Sequence, residues 1–264
     1  MAISTLTKLT TIIFNSYLYW EFNKIINVFS KEYGLISIKA LGVDKLTSKN
    51  KFALDLFCLS DLEVFINPSS LHRLKKAFLI KGNNYCFHNY FIYLIFSLYH
   101  EILKKNSVIK NKEILFQLWK SVIIDEGKNI FTKTDCFLIQ NLINQGAKLD
   151  LNYCYRCLQP KKIKSFSFQD FGFICKYCFQ KKDPILKYSF LKLLLIFQNA
   201  KTINDLQEIN DFEYEQDLKI IFYFLLYYYQ TQLGFFLISY QEIKKHSLFL
   251  TIEKEIIKKI KYKQ

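Results

Sequence analysis

The sequence predicts an α+β protein: a small β-barrel over residues 1–81, then a helical domain over 82–264 that carries an inserted four-cysteine element at 150–183. Three observations lead there. Apolar residues alternate with period two as far as Ile80. After Gly82 they recur over helical lengths. Two C-x2-C pairs then interrupt the helical pattern.

The barrel is built up as follows. Ile12 and Phe14, then Ile26 and Val28, lead to Lys31-Glu32-Tyr33-Gly34, which has the composition of a hairpin turn. Leu35 to Ala40 returns as a strand, and a polar loop from Asp44 to Lys51 holds Lys45, Lys49 and Lys51. Phe52, Leu54, Leu56 and Cys58 alternate like a further strand, and Leu62, Val64 and Ile66 continue to Asn67-Pro68. Leu71 to Ile80 suits a strand or a short helix. Five or so short strands in this length fit a small barrel.

The helices follow. His88 to Leu103 ends in Lys104-Lys105, cations that suit a helix C-terminus. Glu113 to Ile124 is the second helix, and Thr134 to Asn144, closed by Gly146, the third. Pro184 opens a helix from Ile185 to about Phe197, and Thr202 to Leu206 starts a short one. Tyr214 to Leu233 is the longest. In the tail Ile252, Ile256 and Ile260 share one face, with Lys254, Lys258 and Lys261 off it, giving a basic amphipathic helix.

Cys154, Cys157, Cys175 and Cys178 form two C-x2-C knuckles with 17 residues between them. Each knuckle turns two thiolates to one side of an ion, and two knuckles complete a tetrahedron. Phe166 to Ile174 reads strand, turn at Asp170 and Gly172, strand, a hairpin that brings the second knuckle back to the first. One structural Zn2+ per chain is the reading; a redox pair or a degenerate, metal-free finger are the rivals. Four cysteines leave no open coordination position, which argues against catalytic zinc. Nearby Arg156, Lys161, Lys162, Lys164 and Lys176 suit phosphate contact and equally suit offsetting four thiolates. The other three of the seven cysteines, 58, 86 and 136, sit in apolar runs and read as core.

The 264 residues carry a net charge of +14, with an acidic island from Asp205 to Asp217. A broad positive field suits polyanions, nucleic acid first; a lysine-rich proteome gives the same excess. The only arginines are Arg73 and Arg156, so phosphate tracking outweighs reading of guanine edges and sequence preference should be weak. Neither G-x-x-x-x-G-K nor G-x-G-x-x-G occurs, so ATP hydrolysis and dinucleotide binding are not indicated, and the four histidines lack ligand-pair spacing. The acidic island reads as a helix start rather than a nuclease metal site. Met1 to Thr11 lacks a secretory apolar run, and an odd cysteine count argues against a disulfide framework. Ile220 to Tyr240 has no charge over 21 residues, but Gln230, Thr231 and Gln232 at its centre favour a buried helix over a membrane span.

Taken together, the parts resemble the RecO family of recombination mediators over about residues 10–240. The resemblance rests on Phe29-Ser30-Lys31-Glu32-Tyr33-Gly34-Leu35-Ile36-Ser37-Ile38-Lys39-Ala40-Leu41-Gly42, which is similar to the family's hairpin and following strand. It rests also on Tyr153 to Cys157 with Phe166-Ser167-Phe168, Gly172 and Cys175 to Cys178, and on Tyr228 to Leu237. It implies an OB-fold barrel and a protein without an active site or small-molecule substrate. Such a protein binds single- and double-stranded DNA, anneals complementary strands, works with RecR, engages the acidic tail of the single-strand-binding protein, and indirectly helps load RecA. It implies a cytoplasmic, nucleoid-associated location.

The DNA contacts expected are Lys31, Lys39, Lys45, Lys49, Lys51, Arg73, Lys75 and Lys76. The aromatic platform candidates are Tyr33, Phe52 and Phe57. Two departures stand out: Gly42-Val43-Asp44 puts an acid in the basic loop, and Ile238-Ser239-Tyr240 lacks the family's basic residues. Two other functions remain open: a membrane-associated zinc-ribbon protein anchored by 220–240, and an RNA-binding barrel and zinc module.

Overall fold

The structure is a computed structural model that describes residues 5–68, 71–106, 108–146, 151–160 and 162–245. The expected tail helix at 252–261 and Lys161 lie outside the described residues. The chain forms two compact units, Met1–Lys128 and Asn129–Gln264. The last barrel strand ends at Lys81, and the first unit continues beyond it to take in three helices.

In the first unit, β1 (Thr5–Trp20), β2 (Asn23–Ser30), β3 (Gly34–Ala40), β4 (Leu59–Ile66) and β5 (His72–Lys81) close into a barrel in the order β1-β2-β3-β5-β4. The long β1 serves two neighbours: Thr5 to Ile12 pair with β4, and Thr11 to Trp20 pair with β2 across two register shifts. Parallel pairing of β3 with β5 is confined to Ile38–His72 and Lys39–Arg73. Leu9, Ile13, Ile26, Val28, Ile38, Leu62, Val64 and Leu74 point inward and form the barrel core.

The outer face of β1 and β2 is buried too. Helices α1 (Asn84–His88), α2 (Tyr90–Lys104) and α3 (Lys112–Ile124) belong to this unit. Phe29 meets Phe116 and Trp119 at ring separations of 5.9 and 6.1 Å, and Phe14 lies 4.5 Å from His100. A strand covered on both faces has no polar side, so Ile12-Ile13-Phe14 is continuously apolar. Burial holds the His100 pKa down at about 4.

The strand expected at Phe52 to Cys58 is absent. Lys51–Leu54 is a 3-10 turn whose Ala53 and Leu54 enter the barrel core. The Ser60 hydroxyl donates to the Ala53 carbonyl at 2.6 Å, and Phe57 has φ 63. Alternation over so few residues fits a tight turn as well as a strand. Leu71 to Ile80 resolves as strand.

In the second unit, α4 (Ile130–Asn144) packs with α5 (Tyr188–Asn199) and α6 (Glu215–Thr231); the hairpin β6 (Ile163–Ser167) and β7 (Gly172–Cys175) and the short α7 (Ile238–Lys245) belong to it too. α5 starts later than Pro184 suggests. Phe166 is the hub of an aromatic cluster with Phe168, Phe171, Phe173, Phe190 and Phe224. It anchors the hairpin to α5 and α6. The uncharged stretch 220–240 is not one helix: α6 ends at Thr231, Gly234 has φ 66, and α7 begins at Ile238. Within α6, the Tyr229 hydroxyl donates to the Leu138 carbonyl at 2.8 Å. Among the described residues no helix is long and apolar enough to cross a membrane.

Two acids of the island serve as caps. Asp211 accepts from the Phe131 and Thr132 amides at 2.8 and 2.9 Å, closing the N-terminus of α4. Asp205 and Thr202 make a capping box on the turn Ile203–Leu206. Asp135 is different: it is fully buried in α4, and neither carboxyl oxygen has a hydrogen-bond partner among the described residues. Burial, and then the nearby Asp211, push its pKa well above the usual carboxylate value. Folding therefore favours the protonated acid. As pH rises past about 4 the unfolded chain ionises first, and stability falls by up to about 1.4 kcal/mol per pH unit until the folded carboxyl also ionises. The Asp135→Asn variant should lack this fall, so thermal melts of both proteins from pH 4 to pH 8 should diverge; parallel melting profiles would contradict the assignment.

Candidate metal centre and nucleic-acid interface

The ligand atoms of Cys154, Cys157, Cys175 and Cys178 all lie within 4.8 Å of one another, and the Cys157 and Cys175 sulfurs are 3.9 Å apart. A tetrahedral ion with about 2.3 Å bonds to sulfur needs edges of about 3.8 Å, so the four thiols could hold a metal ion. They form the group of this kind found among the described residues. The β6–β7 hairpin brings the knuckles together, with Ile163 opposite Cys175.

The thiols are not equivalent. Burial alone raises the Cys154 pKa, but amides of Cys175, Cys157 and Arg156 outweigh it and bring the thiol down to about 6. The Cys175 amide donates to the Cys154 sulfur at 3.3 Å. Contact with Cys175, together with burial and the neighbouring thiols, pushes Cys178 up to about 12. The Cys154 thiolate is thus favoured and that of Cys178 opposed, an imbalance that a divalent ion would remove. By contrast Cys58 and Cys86 are buried, with burial pushing both thiols up to about 12, as befits core residues.

Two contacts hold the knuckles in place. Arg156 makes a two-pronged pair with the fully buried carboxylate of Asp183, both bonds 2.6 Å, and donates to the Cys178 carbonyl at 2.6 Å. Its guanidinium is thus occupied within the element, whereas Lys162, Lys164 and Lys176 are exposed. The second contact is at Gly172, where a Cβ would stand 2.6 Å from the Tyr155 Cβ. The left-handed residue of the turn is Phe171, φ 49, so Gly172 serves close approach rather than turning.

The eight expected DNA contacts separate on the barrel. Lys39 on β3 and Arg73 on β5 are direct neighbours, and Lys45, Lys49 and Lys51 follow in the loop after β3. Asp44 in that loop lies 2.7 Å from Lys24 and 3.9 Å from Lys51, and the Lys24 hydrogen bond holds its carboxyl below the usual range. The acid therefore offsets Lys24 and part of Lys51, leaving Lys39, Lys45, Lys49 and Arg73 unpaired with carboxylates among the described residues. Lys31 sits on the β2–β3 turn, at the other end of β3 from that loop, 4.0 Å from Glu32. Lys75 pairs with Glu63 at 3.3 Å, and Lys76 lies over the Phe78 ring at 4.4 Å.

Of the aromatic candidates, Tyr33 and Phe52 are exposed. Phe57 is buried against Tyr93 and Phe96, so it is core and not a platform. Sequence reasoning missed the end of β1 and the turn after it, where Tyr17, Leu18, Tyr19, Trp20 and Phe22 are all exposed. The available signal was the unbroken run Tyr17-Leu18-Tyr19-Trp20, which does not alternate with polar residues and is followed by Glu21-Phe22.

Comparison with known proteins places these features in context. The family model described as Recombination protein O N terminal matches residues 1–83, and Recombination protein O C terminal matches residues 114–240. A DNA repair protein RecO of Mesoplasma florum is 32% identical over 249 residues, covering 92% of each chain. The RecO of Mycoplasma mycoides subsp. mycoides is 32% identical over 231 residues, covering 84% of this chain and 91% of its own. That of Bacillus subtilis is 24% identical over 233 residues, covering 80% and 89%. With both halves matched in order and a relative this similar along nearly its whole length, the chain belongs to the RecO family of DNA repair proteins.

Proposed function

We propose that this protein is a non-catalytic recombination mediator whose barrel binds DNA. The observation that carries the reading is the cationic end of the barrel: Lys39 beside Arg73, with Lys45 and Lys49 in the next loop, none paired with a carboxylate among the described residues. The closed strand order β1-β2-β3-β5-β4 supports reading the barrel as an OB fold. Lysines along it neutralise phosphates, so that two complementary strands can approach and anneal. In this reading the protein works in the cytoplasm at the nucleoid with RecR, the acidic tail of the single-strand-binding protein and, indirectly, RecA.

The four cysteines hold one structural Zn2+ in this proposal. The ion supplies folding free energy and neutralises thiolates, and the chain's own residues fix the site through the Arg156–Asp183 pair and the Tyr155–Gly172 contact.

Two experiments test these readings. Replacing Lys39, Lys45 and Lys49 by Ala should weaken single-strand binding and flatten its dependence of log K on log salt by about 0.7 for each phosphate no longer neutralised. An unchanged slope would remove these lysines from the interface, and stronger binding of RNA than of DNA would favour the RNA-binding reading. Cys154→Ser and Cys175→Ser should each lower zinc content from one per chain, soluble yield and melting temperature; metal-free wild-type protein from zinc-supplemented growth would refute the zinc assignment.

A further inference from the structure

The end of β1 and the turn that follows carry several exposed rings. Trp20 is 69% exposed, and Tyr17, Tyr19 and Phe22 are each about half exposed. Trp20, Phe22, Leu41 and Lys45 line a groove of about 470 Å³, together with Glu21, Asn23 and Gly42. Large rings clustered in water at this density mark a contact surface rather than chance exposure.

The groove is built and held. The Asp44 amide donates to the Phe22 carbonyl at 3.0 Å, and the Gly42 amide to Asn23 Oδ1 at 2.8 Å. The Lys24–Asp44 pair spans the same two loops at 2.7 Å. The turn bearing the rings and the loop bearing the lysines are therefore one body. Cations lie on the rings: Lys39 Nζ is 4.7 Å from the Tyr19 centroid, and Lys45 Nζ is 5.7 Å from that of Phe22.

We propose that this groove receives an unstacked nucleobase of single-stranded DNA, with Trp20 and Phe22 as the stacking surfaces. Lys39 and Lys45 would take the flanking phosphates. This rests on the DNA-binding reading above and adds strand selectivity to it. The charge pattern favours this occupant: Lys45 lines the groove at Phe22 and Lys39 lies over Tyr19, next to Trp20, so cations that can follow a phosphate backbone stand beside rings on which a base can stack. In duplex DNA the base faces are already stacked, so the rings would add little there.

Intrinsic fluorescence makes the test direct. The chain has two tryptophans, and Trp119 is fully buried, so quenching by added DNA reports Trp20. The full chain is titrated with oligo(dT), with an abasic strand of the same length, with a duplex and with oligo(rU). Oligo(dT) should quench Trp20 and bind about tenfold more tightly than the abasic strand, the effect of roughly one stacked base. The variant combining Trp20→Ala and Phe22→Ala should bind both strands at the abasic level, with the salt slope unchanged. Both side chains are exposed, and an unchanged circular dichroism spectrum and Trp119 emission would report an intact fold. The single variant Trp20→Phe should keep most of the preference. Equal wild-type affinity for oligo(dT) and the abasic strand, or a preference that survives in the double variant, would overturn the groove while leaving phosphate binding intact. Absence of binding to any strand would instead sink the DNA reading itself. A tenfold preference for oligo(rU) over oligo(dT) would overturn the DNA occupant.

Discussion

The barrel depends on β1, a single strand of 16 residues that must pair with β4 through its first half and with β2 through its second. At about 3.3 Å per residue it is longer than the core it crosses. Its middle, Thr11 to Phe14, is buried between the barrel interior and the helices of the same unit. Its last residues still pair with β2, yet Tyr17, Leu18, Tyr19 and Trp20 remain exposed. Barrel closure and an exposed aromatic end thus come from the same strand. The register shifts between Ile13 and Asn15 and between Leu18 and Trp20 let it bend from one neighbour to the other.

The four-cysteine element shows a different way to fix a small structure. Its hairpin is only five and four residues long, too little to stand alone. Phe166 and its neighbours tie one end to α5 and α6, and Arg156 with Asp183 ties the knuckles to each other. Burying that carboxylate alone would be costly; a planar, two-pronged partner makes it tolerable and sets the angle between the knuckles. Cys154 and Cys178 then differ in acidity because backbone amides converge on Cys154, while Cys178 meets neighbouring thiols.

Much of this architecture was legible in the residues because it rests on local signals. The period change at Gly82, the hairpin at Lys31 to Gly34 and the C-x2-C spacing each reflect chemistry within a few residues, and the structure brings the four sulfurs together as the spacing suggests. What was not legible depends on faces and distant partners. Phe52 to Cys58 alternates like a strand yet plugs the barrel, because apolar alternation records burial and not backbone conformation. Phe57 and Trp20 are both aromatic residues in β-rich sequence; one is core and the other exposed, since the helices of the unit cover only part of the barrel. The role of Asp211 at the start of α4 could not be read either, because its partners are 79 and 80 residues away.

The same long-range pairing explains how the positive charge is displayed. The chain has 37 basic and 23 acidic residues, and several of the acids are withdrawn from the surface field. Asp183 is buried on Arg156, Asp205 and Asp211 accept backbone amides at helix starts, and Asp135 is buried with its pKa pushed up. Asp44 is the instructive case. As an acid in a basic loop it would be expected to repel phosphate, yet it lies against Lys24 and Lys51 and helps fasten that loop to the β1–β2 turn. Its charge is answered locally and its geometry is used to orient its neighbours. On the barrel, Lys39 and Lys45 lie over the exposed rings of Tyr19 and Phe22, and Arg73 is the strand neighbour of Lys39.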